Sequence, residues 1–448
     1  MLRLLHILRR ASSLLSVCLI ASCAIAQPEP SAKADYQRRV QEVRSVPGLV
    51  AFWDFVLRED AGAHRFTAHT ASGAPAFPLD AENYIHSYWN EGRTATYADF
   101  PLLGRGPFGQ AVQFHGEADP NFRPVLLAPR RAIHNTGLDV KGPGASVSMA
   151  VWMIRQGGNH AIAGIWHEGT DLVVGGKRAA NVQAGRRQYA LFAGLAANDG
   201  AAAVHVSENG GASFGDIYAR NLATTRRKIP TVPPAASADQ LDAAWSVVGF
   251  VFDNQKNTVT AYLDGEAEDY WIEQPEKHPF FRWPAHAWLQ AKLRRLPGLQ
   301  GGEVADFPQG QFYEPPEDKP RQRRRISVSA NDRTWELTYD FTKVRLTERR
   351  TPQGDWQPSR WELLALRVNP FWFGHDLYSP ATMEDGGPFT IGRVIHSGRS
   401  VGTLQWIGGV AVFNRALSPK QMRRLTRIGR TGRAPNAPSH LRSATSDD

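Results

Sequence analysis

Cysteine is almost missing: the 448 residues hold two, Cys18 and Cys23, both close to the N-terminus. That excludes a disulfide-stapled scaffold and any zinc site built on several thiolates. No apolar run after the first two dozen residues approaches the eighteen or so that a membrane-spanning helix needs. The phosphate-binding loop, the dinucleotide fingerprint, H-E-x-x-H and the G-x-S-x-G elbow are absent as well. What the chain does have is 21 Phe, 13 Trp, 40 Gly and 30 Pro, an aromatic and turn-rich composition. With 42% hydrophobic and 21% charged residues, the body is not disordered by composition.

The first 26 residues read as an export signal. Arg3, Arg9 and Arg10 stand without an acid, and the apolar run Leu14 to Ala21 is too short to span a bilayer. Two cleavage sites overlap. Ala24-Ile25-Ala26 before Gln27 offers the small residues that signal peptidase accepts, while Ile20-Ala21-Ser22-Cys23 resembles a bacterial lipobox in which Cys23 is acylated. Either route exports the chain, to the periplasm, the cell envelope or the medium. Either also leaves the folded body without a thiol, a disulfide or a cysteine nucleophile. Removing the signal leaves 49 Lys+Arg against 43 Asp+Glu, a net charge of +6 over 422 residues. That excess is ordinary solvated surface, and with export it speaks against a nucleic-acid partner. The expected membrane attachment is a lipid anchor at Cys23 and nothing else.

Residues 27–46 are polar and read as a linker, with a short helical piece around Tyr36 to Arg44. β texture starts at Gly48. Leu49, Ala51, Trp53 and Phe55 form one face of a strand, with Val50 and Phe52 opposite. Val147 to Ile154 is apolar at nearly every position, as a strand inside a two-sheet sandwich can be. Trp245 to Phe252 and Thr258 to Leu263 make a hairpin, and Asp264-Gly265 follows as a turn that needs positive φ. Pro419 to Ile428 is the one clear helix: Ser418 caps it, and Met422, Leu425 and Ile428 share a face. Residues 271–368 change texture. A Pro- and aromatic-rich part precedes a basic run, Arg321 and Arg323 to Arg325, then alternating stretches at 326–329, 335–345 and 361–368. This is an insertion with its own hairpin or small sheet, either a lid or an accessory β subdomain. Residues 429–448, small, polar and proline-bearing, read as a disordered tail.

In this order, these segments resemble the laminin-G-like branch of the concanavalin A-like lectin/glucanase superfamily. The residues that carry the resemblance are Gly48 to Phe55, Gly109 to Phe114, Val147 to Trp152 and Trp245 to Gly265. They close with Ile391-Gly392-Arg393 and with Trp406 to Ser418, a strand leading into an R-A-L-S helix start. The resemblance covers about 47–268 and 369–428. It implies an all-β fold, a concanavalin A-like jelly-roll sandwich of two antiparallel sheets over 47–428, interrupted by the β-containing insertion. Lectins, adhesive modules and glycosidases all occur on such a fold.

The laminarinase-type members of that superfamily alternate carboxylates along one strand, so that period-2 spacing projects them into one cleft. No such motif stands here in a strand, and Glu266-Ala267-Glu268-Asp269 has the wrong spacing. No catalytic residue is therefore assigned. Ser207 to Phe214 resembles one Asp box of sialidases, with Asn209 in the Asp position, and reads as a turn device because a propeller needs several. For ligand binding, Trp166, His167, Glu168 and Asp171 offer an aromatic platform and acceptors at a strand end; the alternative places Trp166 in the core and His167-Glu168 outside. In and after the insertion, Trp271, Trp283, Trp372 and His375, interleaved with Arg282, Arg294 and Arg295, suit anionic glycans or else pack an irregular lid. Calcium is common in laminin-G-like modules, and Asp54, Asp171, Asp199 and Asp264 are candidate ligands, although no run has the oxygen density of a calcium loop. The expectation is non-catalytic binding of a glycan or another cell-surface component. A glycan-active hydrolase or lyase and a structural envelope protein are the alternatives.

Overall fold

The computed structural model describes residues 32–59, 65–167, 173–174, 177–178, 186–194, 200–208, 210, 222–279, 281–294, 315, 317, 319–395 and 402–429. Two antiparallel sheets face each other, as the alternating and fully apolar strands require. In spatial order the first sheet runs Phe371–Trp372, Thr258–Leu263, Ser246–Asp253, Val147–Gly157, Leu404–Phe413, Ala111–Phe114 and Leu102–Leu103, with Leu49–Trp53 also on Leu404–Phe413. The second runs Leu222–Lys228, Ala201–Val206, Arg186–Ala193, Ala161–His167, Phe389–Ile391, Pro124–Ala128 and Asp80–Asn83. Trp53 from the first sheet stacks on Phe389 of the second at 5.2 Å between centroids, and Phe250 meets Tyr189 at 6.2 Å. Every described residue of Ala161–His167 and Ala201–Val206 is buried.

The alternation in the first strand holds from Ala51 onward. Ala51 and Trp53 enter the core between the sheets, while Phe52 joins the cluster on the outer side of the first sheet. A bulge between Leu49 and Ala51 turns Val50 into the core, against the simple alternation. The hairpin forms as expected, and Asp264 and Gly265 take φ of 55° and 78°.

Two helices cover the outer side of the first sheet. The C-terminal one, Pro419–Gly429, buries Met422, Leu425 and Ile428. Its start is a reciprocal cap: Gln421 N donates to Ser418 Oγ and Ser418 N donates to Gln421 Oε1. The other, Ala32–Arg44, occupies the segment that reads as a linker in the sequence. Val40 and Val43 are buried there beside Phe52, Phe108, Trp152 and Leu425. Val43→Ala is therefore expected to cost about 2 kcal/mol in a urea titration, whereas a linker valine would cost under about 0.5 kcal/mol.

The insertion builds an antiparallel sheet in the order Tyr270–Glu273, Trp356–Asn369, Thr342–Arg350, Asp332–Thr338 and Gln322–Val328. It has a core of its own, in which Ala285 and Trp288 pack on Leu337, Val344, Leu346 and Leu363, so it is an accessory β subdomain. Ala285 and Trp288 sit on a helix, Arg282–Arg294, where the sequence reading has an irregular, proline-rich lid. Pro284 falls in the first turn, whose N–H groups lack intrahelical partners, so it does not stop the helix. Asn369, fully buried, joins the subdomain to the sandwich. It donates to the carbonyls of Ala261 and Glu268 and accepts from Ala261 N at 2.8 Å.

Candidate functional site

The residues that the sequence singles out do not converge. Trp166 is 1% exposed and lies within the core, 5.3 Å from the His205 ring and edge-on to Phe192. It is no surface platform. His167, expected at the surface with Glu168, is also buried, edge-on to Tyr88 at 4.9 Å. Burial and Glu82 push the Tyr88 phenol up to about 12, against the pull of Arg186. Trp271 is half-buried in the insertion sheet, with Lys343 Nζ 5.0 Å and Arg367 Cζ 5.9 Å from its ring. Trp372 ends the first sheet against Phe341, and its Nε1 is buried without a hydrogen-bond partner. His375 sits edge-on to Phe373, and burial pushes its imidazole below the ordinary value while Asp376 opposes. Glu168, Asp171, Asp199, Cys23 and the Trp283 side chain lie outside the described residues, as does most of the Ser207 to Phe214 segment.

The calcium candidates inside the described residues serve turns. Asp264 Oδ1 accepts from Val247 N at 3.0 Å. Asp54 Oδ1 accepts from Val56 N and Leu57 N, both at 2.9 Å, where the chain leaves the first strand. Among the described residues, no group of three or more His, Cys, Asp or Glu is placed to hold a metal ion.

Asp54 nevertheless lines a concavity. Its second oxygen, Oδ2, lies 2.7 Å from His69 Nε2. A carboxylate oxygen accepts, so this bond takes an Nε2 proton and, in a neutral ring, leaves Nδ1 as the acceptor. His69 is fixed twice more. Its backbone exchanges hydrogen bonds with Phe52, and its ring stacks on Phe52 at 5.8 Å. The pair opens into a groove of about 970 Å³ between the N-terminal helix and the edge of the sandwich. Tyr36, Gln37 and Gln41 line it from the helix, and Val56, Leu57, Arg58, Phe108 and Gln110 from the sandwich. Gly109, at φ +105°, lets the Tyr36 ring approach, since a Cβ there would stand 3.2 Å from Tyr36 Cδ2. Gln110 Nε2 donates to Phe55 O, and the Arg58 guanidinium lies 4.0 Å from the Phe66 ring centroid. Burial pushes Arg58 below its ordinary value, with Tyr97 opposing.

Val56 is 51% and Leu57 38% exposed, two of six large hydrophobic side chains that stand out to this degree among the described residues. Ile326 and Val328 of the insertion are two more. The groove escaped the sequence reading because His69 lies fifteen residues beyond Asp54 with no motif between them, and only backbone pairing with Phe52 brings it back.

No protein-family model matches this chain, and no curated protein matches it. Among solved structures, it is similar to the botulinum neurotoxin serotype D ligand-binding domain in complex with N-acetylneuraminic acid, at 6% identity and TM-score 0.33, over 86% of this chain and 52% of that one. Domain 4 of AbnA, a GH43 extracellular arabinanase from Geobacillus stearothermophilus in complex with arabinotriose, matches at 13% identity and TM-score 0.31, over 80% and 91%. Trypanosoma rangeli sialidase in complex with 2,3-difluorosialic acid matches at 10% identity and TM-score 0.31, over 88% and 38%. The chain spans about half the length of the toxin domain. Likeness at these TM-scores identifies neither a family nor an activity.

Proposed function

We propose that this chain is a non-catalytic, exported glycan-binding protein whose ligand lies in the groove between the N-terminal helix and the sandwich. One observation carries the reading: the groove combines exposed apolar surface with fixed polar groups and a single carboxylate. Val56, Leu57 and Tyr36 suit the CH faces of a sugar, while His69 and the amides of Gln37, Gln41 and Gln110 suit its hydroxyls. The volume of about 970 Å³ is at the upper end of the roughly 300–1,000 Å³ typical of small-molecule sites. A glycosidase needs two carboxyl groups about 5–5.5 or 6.5–9.5 Å apart. Among the described residues lining the groove only Asp54 has one, and three donors already occupy it. The same reading takes the sandwich as a laminin-G-like member of the concanavalin A-like superfamily, and takes residues 1–26 as the export signal, with Cys23 as the alternative lipid anchor.

The Asp54–His69 pair supports a second reading, a glycan-active enzyme in which His69 is the general base and Asp54 orients it. A single experiment separates the two: a glycan array with residues 27–448, run with calcium and with chelator, followed by analysis of released sugar. Binding without released fragments is expected, weakened about tenfold by Tyr36→Ala and by His69→Ala. Fragments released by the wild type and lost in His69→Ala would put the enzyme first. Silence on every glycan would remove both readings and leave a structural envelope role.

A further inference from the structure

The insertion sheet ends, among the described residues, on an edge strand. Gln322–Val328 pairs with Asp332–Thr338 on one side and with no described strand on the other. All seven of its residues are exposed. Such an edge presents unpaired N–H and C=O groups to any extended chain that approaches it. Proteins normally blunt an edge of this kind, and here the residues in place are selective ones. Arg323, Arg324 and Arg325 follow one another, with Arg321 just before them. Ile326 and Val328 stay 44% and 56% exposed. The register slips at Ile326, which leaves Gln322 to Arg325 as the regular part of the edge.

Charge decides what this edge admits. Residues 321–367 hold eleven Lys and Arg against six Asp and Glu. On the polar face of the sheet those acids are used up: Glu336 bridges Arg324 and Arg345, Glu362 also meets Arg345, and Asp332 pairs with Arg349. Hydrogen bonds from Arg324 and Arg345 hold the Glu336 carboxyl below its ordinary value. Behind the edge, Arg323 lies 3.7 Å from the Trp335 ring centroid, and Arg325 has no ion pair among the described residues. Arg321 pairs with Asp340 and Arg324 with Glu336, so the edge charge without an ion pair among the described residues is that of Arg323 and Arg325. A second copy of the strand would set arginine against arginine, which is unfavourable for directly opposed residues. An acidic strand would meet opposite charge, backbone partners and two apolar side chains at once.

We propose that Gln322–Val328 takes an acidic, extended segment of a partner protein by strand addition, with main-chain pairing supplying affinity and the arginines supplying selectivity.

The probe is a short fluorescein-labelled peptide of alternating Glu and Val, titrated into residues 27–448 and followed by anisotropy at low salt. Saturable binding is expected, with none for the same peptide carrying Lys in place of Glu. Arg323→Glu combined with Arg325→Glu should weaken binding at least about tenfold, and both positions are exposed, so the melting temperature should hold. Peptides N-methylated at alternate residues, one in each register, separate the two contributions: the register that blocks pairing should lose binding and the other keep it. Equal binding by both methylated peptides, or displacement of the peptide by heparin at equal charge concentration, would mean a charge-only contact and would overturn the proposal. Failure of the unmodified peptide to bind would overturn it too.

Discussion

Replacing Asp139 with alanine is expected to destabilise the protein by about 3–5 kcal/mol, the usual cost of stripping one partner from a buried charge cluster. The Asp139 side chain is fully buried. Arg130 grips both its oxygens, at 2.7 and 3.0 Å, Lys141 donates to Oδ2 at 2.7 Å, and Asn135 N donates at 3.0 Å. From the second sheet, Gln188 Nε2, also buried, reaches Oδ1 at 3.1 Å and Val140 O at 2.9 Å. The carboxylate thus ties the loop after Arg130 to the sheet, and its loss leaves a largely buried guanidinium without a counter-charge. Burial alone would raise this carboxyl, but the hydrogen bonds from Arg130, Lys141 and Asn135 prevail and hold it below the ordinary value. A carboxyl depressed in the folded state contributes stability that is present above its unfolded value, about 3.9, and is lost as the pH falls through the folded one. Urea titrations at pH 7 and at pH 3 should therefore show the wild type and Asp139→Ala converging at the lower pH. An equal gap at both would sink the ion-cluster account.

The strands were legible in the sequence where one face is dry and the turn chemistry is local. Trp53 and Phe52 part to opposite faces as their spacing requires, and Asp264-Gly265 turns as its residues demand. Exposure was not legible where both faces of a strand are covered. In Ala161–His167 every position is buried, so no polar alternation marks which aromatic reaches the surface, and Trp166 stayed open between platform and core; it is core. The N-terminal helix was legible as a short piece around Tyr36 to Arg44, but its docking was not, for the opposite reason. Its buried contact rests on Val40 and Val43 within a strongly polar sequence, too narrow a stripe to separate a docked helix from a linker. The groove depends on that docking, so taking the segment for a linker left the groove out of view. Its acid was in view as Asp54, and its imidazole was not, because pairing between Phe52 and His69 is a property of the fold and not of spacing.

Gly392→Ala is expected to cost about 2–4 kcal/mol, more than its backbone conformation alone explains. Gly392 takes φ +89° directly after Phe389–Ile391, in the middle of the second sheet, and its N–H donates to Ile162 O at 2.7 Å. A Cβ there would fall 2.0 to 2.5 Å from three ring atoms of Phe114, itself buried edge-on to Phe100. The ring has nowhere to go without disturbing the core between the sheets, and overpacking of this kind costs about 1–3 kcal/mol on top of the strained φ. The next residue is anchored as well. Arg393, 4% exposed, donates to the carbonyls of Pro124 and His115, and burial pushes its guanidinium below the ordinary value. Gly354 supplies the comparison. Its φ is +94°, yet the nearest atom to an added Cβ is Arg350 Nη2 at 3.7 Å. Gly354→Ala should thus report the backbone cost alone, about 1 kcal/mol. Phe114→Leu should recover part of the loss in Gly392→Ala, a coupling that a double-mutant cycle reads directly. Equal losses at the two glycines, or no coupling to Phe114, would mean that the ring contact does not set the requirement for glycine in Ile391-Gly392-Arg393.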